Sequence, residues 1–171
     1  TIPTYAFISG SFKNWRGMAD SKGRRIKRSV NINMMSIRFC TDEEITQYKS
    51  VELLKDYIES IQNEISSHNE TNRHDKAYLL NGRNLTNIGL FREYAHQYLS
   101  ANENLRMDLT LMVRQLEPTE NGLPIEVYCF SNNIEWVEYE RIQADIFDHL
   151  LSSISNFDLE IFQNPTGKFG S

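Results

Sequence analysis

Residues 107–114 read MDLTLMVR and residues 124–130 read PIEVYCF, and these two segments decide the fold. Apolar side chains occupy every second position of the first segment, which is the period of a strand with one buried face. The Asn-Gly dipeptide at residues 121–122 is a strong turn signal, within a connection longer than two residues. The sequence therefore predicts an antiparallel β-hairpin.

A second stretch with strand periodicity lies upstream, beginning at residue 25. Arg28 interrupts its apolar side near the start of the strand. The apolar side consists of Ile26, Val30, Ile32 and Met34. We predict a half-buried strand of about ten residues here.

Two helices are predicted between this strand and the hairpin. The first begins at Thr41, because Thr41 and Glu44 match a capping box, and its apolar positions recur three or four residues apart as far as residue 65. Residues 66–75 are polar and have no period, so we predict a solvated loop or a frayed helix end there. The second helix begins after Thr86 or Asn87 and extends to about residue 99.

One more helix and one short strand are predicted after the hairpin. Asn133 is the expected N-cap of this helix, whose apolar stripe extends from residue 136 to residue 154. Alternating residues 158–162 predict a final strand, which ends at a turn of Asn, Pro, Thr and Gly.

The order of elements from residue 25 is strand, helix, helix, strand, strand, helix, strand. This order predicts an α+β fold of the ferredoxin-like, split βαβ type, with one sheet and its helices on one face. Residues 1–23 read instead as the end of a small β domain, without an initiator Met or a signal peptide. We expect an α/β domain over residues 24–171 with a helical or loop insertion at about residues 66–85, and further chain upstream of Thr1.

Composition argues against two function classes. No run approaches the roughly 18–20 apolar residues of a membrane helix, and the net charge of −5 disfavours a nucleic-acid-binding surface. Five of the 18 basic residues nevertheless lie within residues 22–28. This basic run is either the solvated entry of a strand or a contact with an anionic surface or an acidic neighbouring subunit.

Residue patterns that carry chemistry are missing from the sequence. Cys40 and Cys129 are far apart and unclustered, which disfavours a disulfide framework or a zinc site. Asp145 and His149 share a helix face but supply only two metal ligands, and no Gly-rich phosphate loop or GxSxG elbow is present. We predict a protein that is not an enzyme, with no catalytic, cofactor-binding or metal-binding residues.

Two tryptophans have structural interpretations. Trp136 begins a helical stripe, so packing in the core or between subunits is expected. Trp15 lies in a segment with few apolar residues of its own, which favours packing at a domain junction.

The chain resembles the small-conductance mechanosensitive ion channels, and in particular their miniconductance branch. The resemblance covers almost the whole chain. The runs that carry it are Ile2-Pro3-Thr4-Tyr5, Phe12-Lys13-Asn14-Trp15-Arg16-Gly17, Gly23-Arg24-Arg25-Ile26-Lys27-Arg28, Leu85-Thr86-Asn87-Ile88-Gly89, Thr110-Leu111-Met112-Val113-Arg114-Gln115-Leu116, Asn121-Gly122-Leu123-Pro124 and Ile142-Gln143-Ala144-Asp145-Ile146-Phe147-Asp148-His149.

This resemblance implies the cytoplasmic region of an inner-membrane channel. Membrane-spanning helices would precede residue 1, and the α/β domain would form the wall of a vestibule in a homo-heptamer. Tension in the bilayer would open the pore and release solutes after hypo-osmotic shock. No cofactor and no nucleic acid is implied, and the isolated chain could be a monomer. The given sequence ends soon after Pro165-Thr166-Gly167, so we expect a floor that differs from that of the family members in which a further C-terminal segment closes the vestibule as a β-barrel.

Two other readings of the residues remain open. One is a regulatory ferredoxin-like module that binds a small ligand, for which a Gly-rich strand–helix loop would be the expected signal. The other is an RNA-binding sheet with exposed aromatic side chains.

Overall fold

Three strands form one antiparallel sheet in the computed structural model, which describes residues 23–71 and 80–163. They are β1 (Arg24–Ile32), β2 (Met112–Gln115) and β3 (Leu123–Ser131). β3 lies in the middle and pairs antiparallel with both neighbours, so β1 and β2 run parallel to each other on either side of it. This is the strand arrangement of a split βαβ unit, and the predicted α+β fold class is confirmed.

Four α-helices lie in the described residues: α1 (Asp42–Tyr48), α2 (Glu52–Thr71), α3 (Asn87–Ser100) and α4 (Trp136–Ser153). The capping box of Thr41 and Glu44 is present, and the Thr86 hydroxyl accepts a hydrogen bond from Gly89 N at 3.1 Å. Both predicted helix starts are therefore confirmed. The Asn133 cap is wrong, because α4 begins after Glu135 and the Asn133 side chain accepts from Glu135 N instead.

The first predicted helix is in fact two helices, α1 and α2. The break follows Tyr48, whose ring stacks on Phe157 with centroids 5.2 Å apart and whose hydroxyl donates to Asn156 O. The backbone then tightens, since Ser50 N and Val51 N bond to carbonyls three residues earlier. Apolar spacing alone does not reveal a break of this kind, because the spacing continues across it.

The solvated loop or frayed end predicted at residues 66–75 is wrong over its first part, since α2 continues as a regular helix to Thr71. Asn69 explains the extension. Its side chain is 5 % exposed and forms two hydrogen bonds with the backbone of Arg83, at 2.9 and 3.1 Å. Residues 72–79 lie outside the described residues, as do residues 1–22, so the predicted β-domain remnant stays a prediction.

The predicted hairpin is confirmed, but its first strand is shorter than the alternation suggests. β2 begins at Met112, whereas residues 107–111 leave the sheet between two contacts with β3. Arg106 N donates to Phe130 O at 2.8 Å on one side of this excursion, and Met112 pairs with Tyr128 on the other. The Arg106 and Asp108 side chains form an ion pair within the excursion.

The predicted final strand is a single antiparallel bridge between Ile161 and Ile32. Two hydrogen bonds flank it, from Asn33 N to Glu160 O and from Phe162 N to Asn31 O. The segment therefore lies beside β1, where a fourth strand of this fold would be. It stays short because Asp158, with φ of 55°, still belongs to the turn that ends a 3-10 helix (Ile154–Phe157).

The core lies between the sheet and its helices. Ile26, Val30 and Ile32 of β1 are buried as predicted, whereas Met34 is half exposed in a short 3-10 turn (Met34–Ser36). Opposite them, α3 and α4 contribute the buried side chains Leu90, Phe91, Leu99, Ile142, Ile146 and Leu150. The opposite face of the sheet is not covered by these helices.

Candidate functional site

Three large apolar side chains are exposed where α4 begins. Ile134 is 52 % exposed, and Trp136 and Val137 are each 68 % exposed. The core-facing stripe of α4 starts only at Tyr139, which already lies against the first residues of β1. The turn before Tyr139 therefore extends past the end of the sheet, and core packing of Trp136, one of two expectations from the sequence, is wrong. We call Ile134, Trp136 and Val137 the Trp136 surface.

The basic run is divided between the two faces of β1. The Arg24 guanidinium lies over the Tyr139 ring at 4.3 Å, and that of Arg28 lies over the Phe147 ring at 4.6 Å. These two cations pack against α4, which explains how Arg28 interrupts an apolar strand face without penalty. Arg25 and Lys27 are exposed on the other face and form no ion pair within the described residues.

A hydrogen bond also joins the start of β1 to α4. The Tyr139 hydroxyl donates to Arg25 O at 2.5 Å. Burial raises the pKa of this hydroxyl, so it keeps its proton and remains a donor at neutral pH. The Trp136 surface and the basic run are thus held in a fixed relation at one end of the domain.

The face of the sheet opposite α3 and α4 carries aromatic and charged side chains. Tyr128 and Phe130 pack edge to face with centroids 5.8 Å apart, and they pair across the strands with Lys27 and Arg25. An ion pair joins Arg114 to the buried carboxylate of Glu126 at 2.8 Å on the same face. This face offers stacking and charge contacts to a partner.

His149 does not join Asp145 in a metal pair. Its ring stacks on Tyr98 with centroids 3.9 Å apart, and its Nε2 lies 2.7 Å from the Tyr94 hydroxyl. Asp145 instead contacts Arg141 at 3.3 Å. Burial lowers the pKa of His149, so the imidazole favours its neutral form inside this aromatic contact.

The two cysteines are buried and not disulfide-bonded. Burial raises the pKa of Cys40 to about 11 and that of Cys129 to about 12, which leaves both as protonated thiols at neutral pH. The described residues contain no group of three or more His, Cys, Asp or Glu side chains placed to hold a metal ion. In the same part of the chain, none of the helices combines the length and the hydropathy needed to cross a bilayer.

These features define a class: an α+β domain of the split βαβ type with a small exposed apolar surface at one end. The family comparison then identifies the family. The model for "Mechanosensitive ion channel MscS, C-terminal" matches residues 26–161, which is most of the chain. The chain belongs to this family, and the resemblance to small-conductance mechanosensitive channels is confirmed. The members of this family are channel domains and not enzymes.

Trp136 is the residue that sequence reasoning placed least well. Its spacing from Tyr139 matches the apolar stripe, but the sheet ends before it reaches the first turn of α4. The adjacent apolar residues Ile134 and Val137 are the signal that could have indicated an exposed surface, because they break the helical period.

Proposed function

We propose that this chain is the cytoplasmic part of an inner-membrane mechanosensitive channel of the miniconductance type and forms the wall of the vestibule below the pore. The channel opens under membrane tension and releases solutes in hypo-osmotic shock. Membership in the MscS C-terminal family carries this proposal. The wall itself needs no catalytic group, which agrees with a function in assembly and ion access.

The domain organisation is part of the same proposal. Residues 1–23 are the end of the β domain that connects the wall to the pore, and residues 24–171 are the α/β domain. The insertion at about residues 66–85 includes the end of α2, which Asn69 fixes against Arg83. A segment held in this way is suited to a position beside a portal between subunits or to contact with another protein.

The wall requires contacts between subunits, and we place one of them at the Trp136 surface. A homo-heptameric ring is built from heterologous contacts, in which two different faces of the same chain meet. Exposed Trp side chains are frequent anchors of such contacts. Arg25 and Lys27 lie at the same end of β1 and are exposed beside this contact.

The test is a substitution in the full-length channel that contains this chain. Trp136→Asp places a charge in the proposed contact, and an acid in the first turn of α4 is compatible with the helix itself. The matched control is Met35→Asp, because Met35 is 91 % exposed and lies beyond the other end of β1. Native mass spectrometry of the detergent-solubilised protein measures the assembly.

We expect the Trp136 variant to lose heptamer to smaller species while the Met35 variant remains heptameric. Cells that depend on this channel should then survive hypo-osmotic shock with the Met35 variant and not with the Trp136 variant. Equal heptamer mass and equal survival for both variants would refute the contact. A native mass for the unsubstituted protein that differs from seven subunits would refute the ring.

A second test concerns ion access through the vestibule. Charge on its wall biases the local concentration of permeating ions. Reversing Arg25 and Lys27 to Glu removes exposed positive charge without disturbing the two arginines that pack on α4. We expect the reversal potential to shift toward greater cation preference. An unchanged reversal potential would contradict the proposal that this face lines the ion path.

A further inference from the structure

A groove of about 290 Å³ lies between α3 and β2, an edge strand of the sheet in the described part of the chain. One side is formed by Arg92, Glu93 and His96 of α3, and Met112 and Val113 of β2 form the other. Tyr57 of α2 and Gly89 complete the lining. None of these residues belongs to the Trp136 surface, and we call this the Arg92 groove.

Arg92 is a cation for which the described residues supply no ion-pair partner. Its Nε is buried and has no hydrogen-bond acceptor. No carboxylate of the described residues forms an ion pair with it, in contrast to Arg38, Arg83, Arg106, Arg114 and Arg141. An arginine stays protonated at all physiological pH values, and a partly buried charge without a counterion is costly. The groove is therefore a place where an anion would be stabilised.

The Arg92 side chain lies beside the first turn of α3. A Cβ atom at Gly89 would lie 3.8 Å from an Nη of Arg92, so the guanidinium lies directly along the bare surface of that glycine. This places its charge beside the N-terminal end of a 14-residue helix, whose dipole also favours an anion. The Arg92 charge and, at the Gly89 end of the groove, the helix dipole both favour an anion.

The neighbouring groups include two possible hydrogen-bond donors, His96 and Tyr57, and one carboxylate, that of Glu93. Glu93 accepts a hydrogen bond from the Gln97 amide at 2.9 Å, which turns this carboxylate along its own helix. His96 lies one helical turn after Arg92 on the same face. The Tyr57 hydroxyl forms no hydrogen bond within the described residues. Burial and, after it, the charge of Glu93 raise its pKa, so it remains a donor.

The size and the other wall of the groove limit what it can hold. A volume of about 290 Å³ is at the lower end of the range for small-molecule sites, and the groove is open on one side. Met112 and Val113 present apolar surface opposite the cation. A suitable ligand therefore has one anionic group and a small apolar body.

We propose that the Arg92 groove binds a small organic anion through its carboxylate or phosphate group. The Arg92 guanidinium, the His96 ring and the Tyr57 hydroxyl hold the anionic group, while Met112 and Val113 contact the apolar body. The chain has a net charge of −5, so general attraction of anions to its surface does not explain such binding. The site is separate from the proposed vestibule contacts and does not depend on them.

The experiment is a titration of the ¹⁵N-labelled 171-residue chain, observed by NMR, with benzoate and with phenyl phosphate as separate probes. Benzoate tests the carboxylate and phenyl phosphate tests the phosphate. We expect saturable shifts of the amide signals of Gly89, Arg92 and Met112 with at least one probe. Saturation with only one probe identifies the anionic group, and saturation with both supports a site that accepts either.

Variants connect the shifts to the proposed donors. Arg92→Gln is expected to weaken binding by about tenfold or more, since it removes a charge-assisted hydrogen bond. Arg141→Gln makes the same change of charge on the exposed side of α4 and is expected to leave the affinity unchanged. Tyr57→Phe removes only the hydroxyl and is expected to weaken binding a few-fold without affecting the fold.

Three results would overturn the proposal. The first is the absence of saturable shifts with either probe up to about 10 mM, a concentration well above that of weak specific binding. The second is saturable shifts confined to residues outside the groove. The third is an equal affinity for the Arg92 and Arg141 variants, with folded spectra for both and with Tyr57→Phe also unchanged. None of these outcomes affects the heptamer, so failure here is distinct from failure of the proposed function.

Discussion

Replacing Asn87 by Ala should remove the contact that joins three segments at the start of α3. The Asn87 side chain is fully buried. Its oxygen accepts from Arg38 N at 2.9 Å, and its amide donates to Ser36 O at 2.9 Å and to Phe157 O at 3.0 Å. Each bond contributes about 1 kcal/mol net, so we expect a loss of about 3 kcal/mol in the free energy of unfolding. That is a large part of the roughly 5–15 kcal/mol that stabilise a typical domain.

Urea unfolding of the 171-residue chain, observed by circular dichroism at the helical minimum, measures this loss. Asn156→Ala is the matched control, because Asn156 is exposed and its side chain makes no hydrogen bond within the described residues. Asn87→Asp should be still less stable than Asn87→Ala at neutral pH, since a carboxylate cannot donate to the two carbonyls and would be buried as a charge. A difference of less than about 0.5 kcal/mol between Asn87→Ala and the control would refute the reasoning.

Three further outcomes are expected from the same chain. The side-chain hydrogen bond from Arg38 lowers the pKa of Glu44 from its ordinary 4.5 to about 2. The ion pair therefore stabilises the fold above pH 4.5, and this stabilisation is lost as the pH falls toward 2. The difference in unfolding free energy between wild type and Glu44→Gln, measured in urea, should shrink over that range. Cys40 and Cys129, with pKa values of about 11 and about 12, should be unreactive toward a thiol reagent at pH 8 in the native protein and should both react in denaturant; reaction of native thiols would contradict their burial. Gly122→Ala should lower the unfolding free energy by at least about 1–2 kcal/mol. Gly122 has φ of 93°, and a Cβ atom there would lie 2.6 Å from a β1 carbonyl oxygen. A thermal midpoint equal to that of wild type would argue against this close approach.

The elements predicted well are those whose signals are local. The capping box at Thr41 and the cap at Thr86 are formed by side chains within three residues of the helix start, so the sequence alone contains the interaction. The alternation in β1 likewise reports a buried face, as Ile26 and Ile32 show. The strand order of a split βαβ unit then follows from the order of the elements.

The elements predicted poorly depend on distant partners. α2 continues past its last apolar position because Asn69 bonds to the backbone of Arg83, fourteen residues away. The helix break after Tyr48 depends on a ring contact with Phe157. Periodicity cannot reveal such contacts, since neither partner changes the pattern of apolar residues around the other.

The candidate sites show the same division. Family-typical runs identified the class of protein from the sequence, and the family model confirms it. Predicting the exposure of Trp136 requires knowing how far the sheet extends along α4, and no residue pattern within the helix gives that length. Arg92 was not singled out at all, because an arginine without a counterion is recognisable only when the surroundings of its side chain are known.

Tension-gated conduction tests the central claim most directly. The full-length protein that contains this chain is reconstituted into liposomes, and suction is applied to excised patches while the current is recorded. We predict channel openings whose probability rises with membrane tension, at a conductance that is reproducible between patches. A protein that inserts fully into the liposomes and gives no tension-dependent current up to patch rupture would contradict the account.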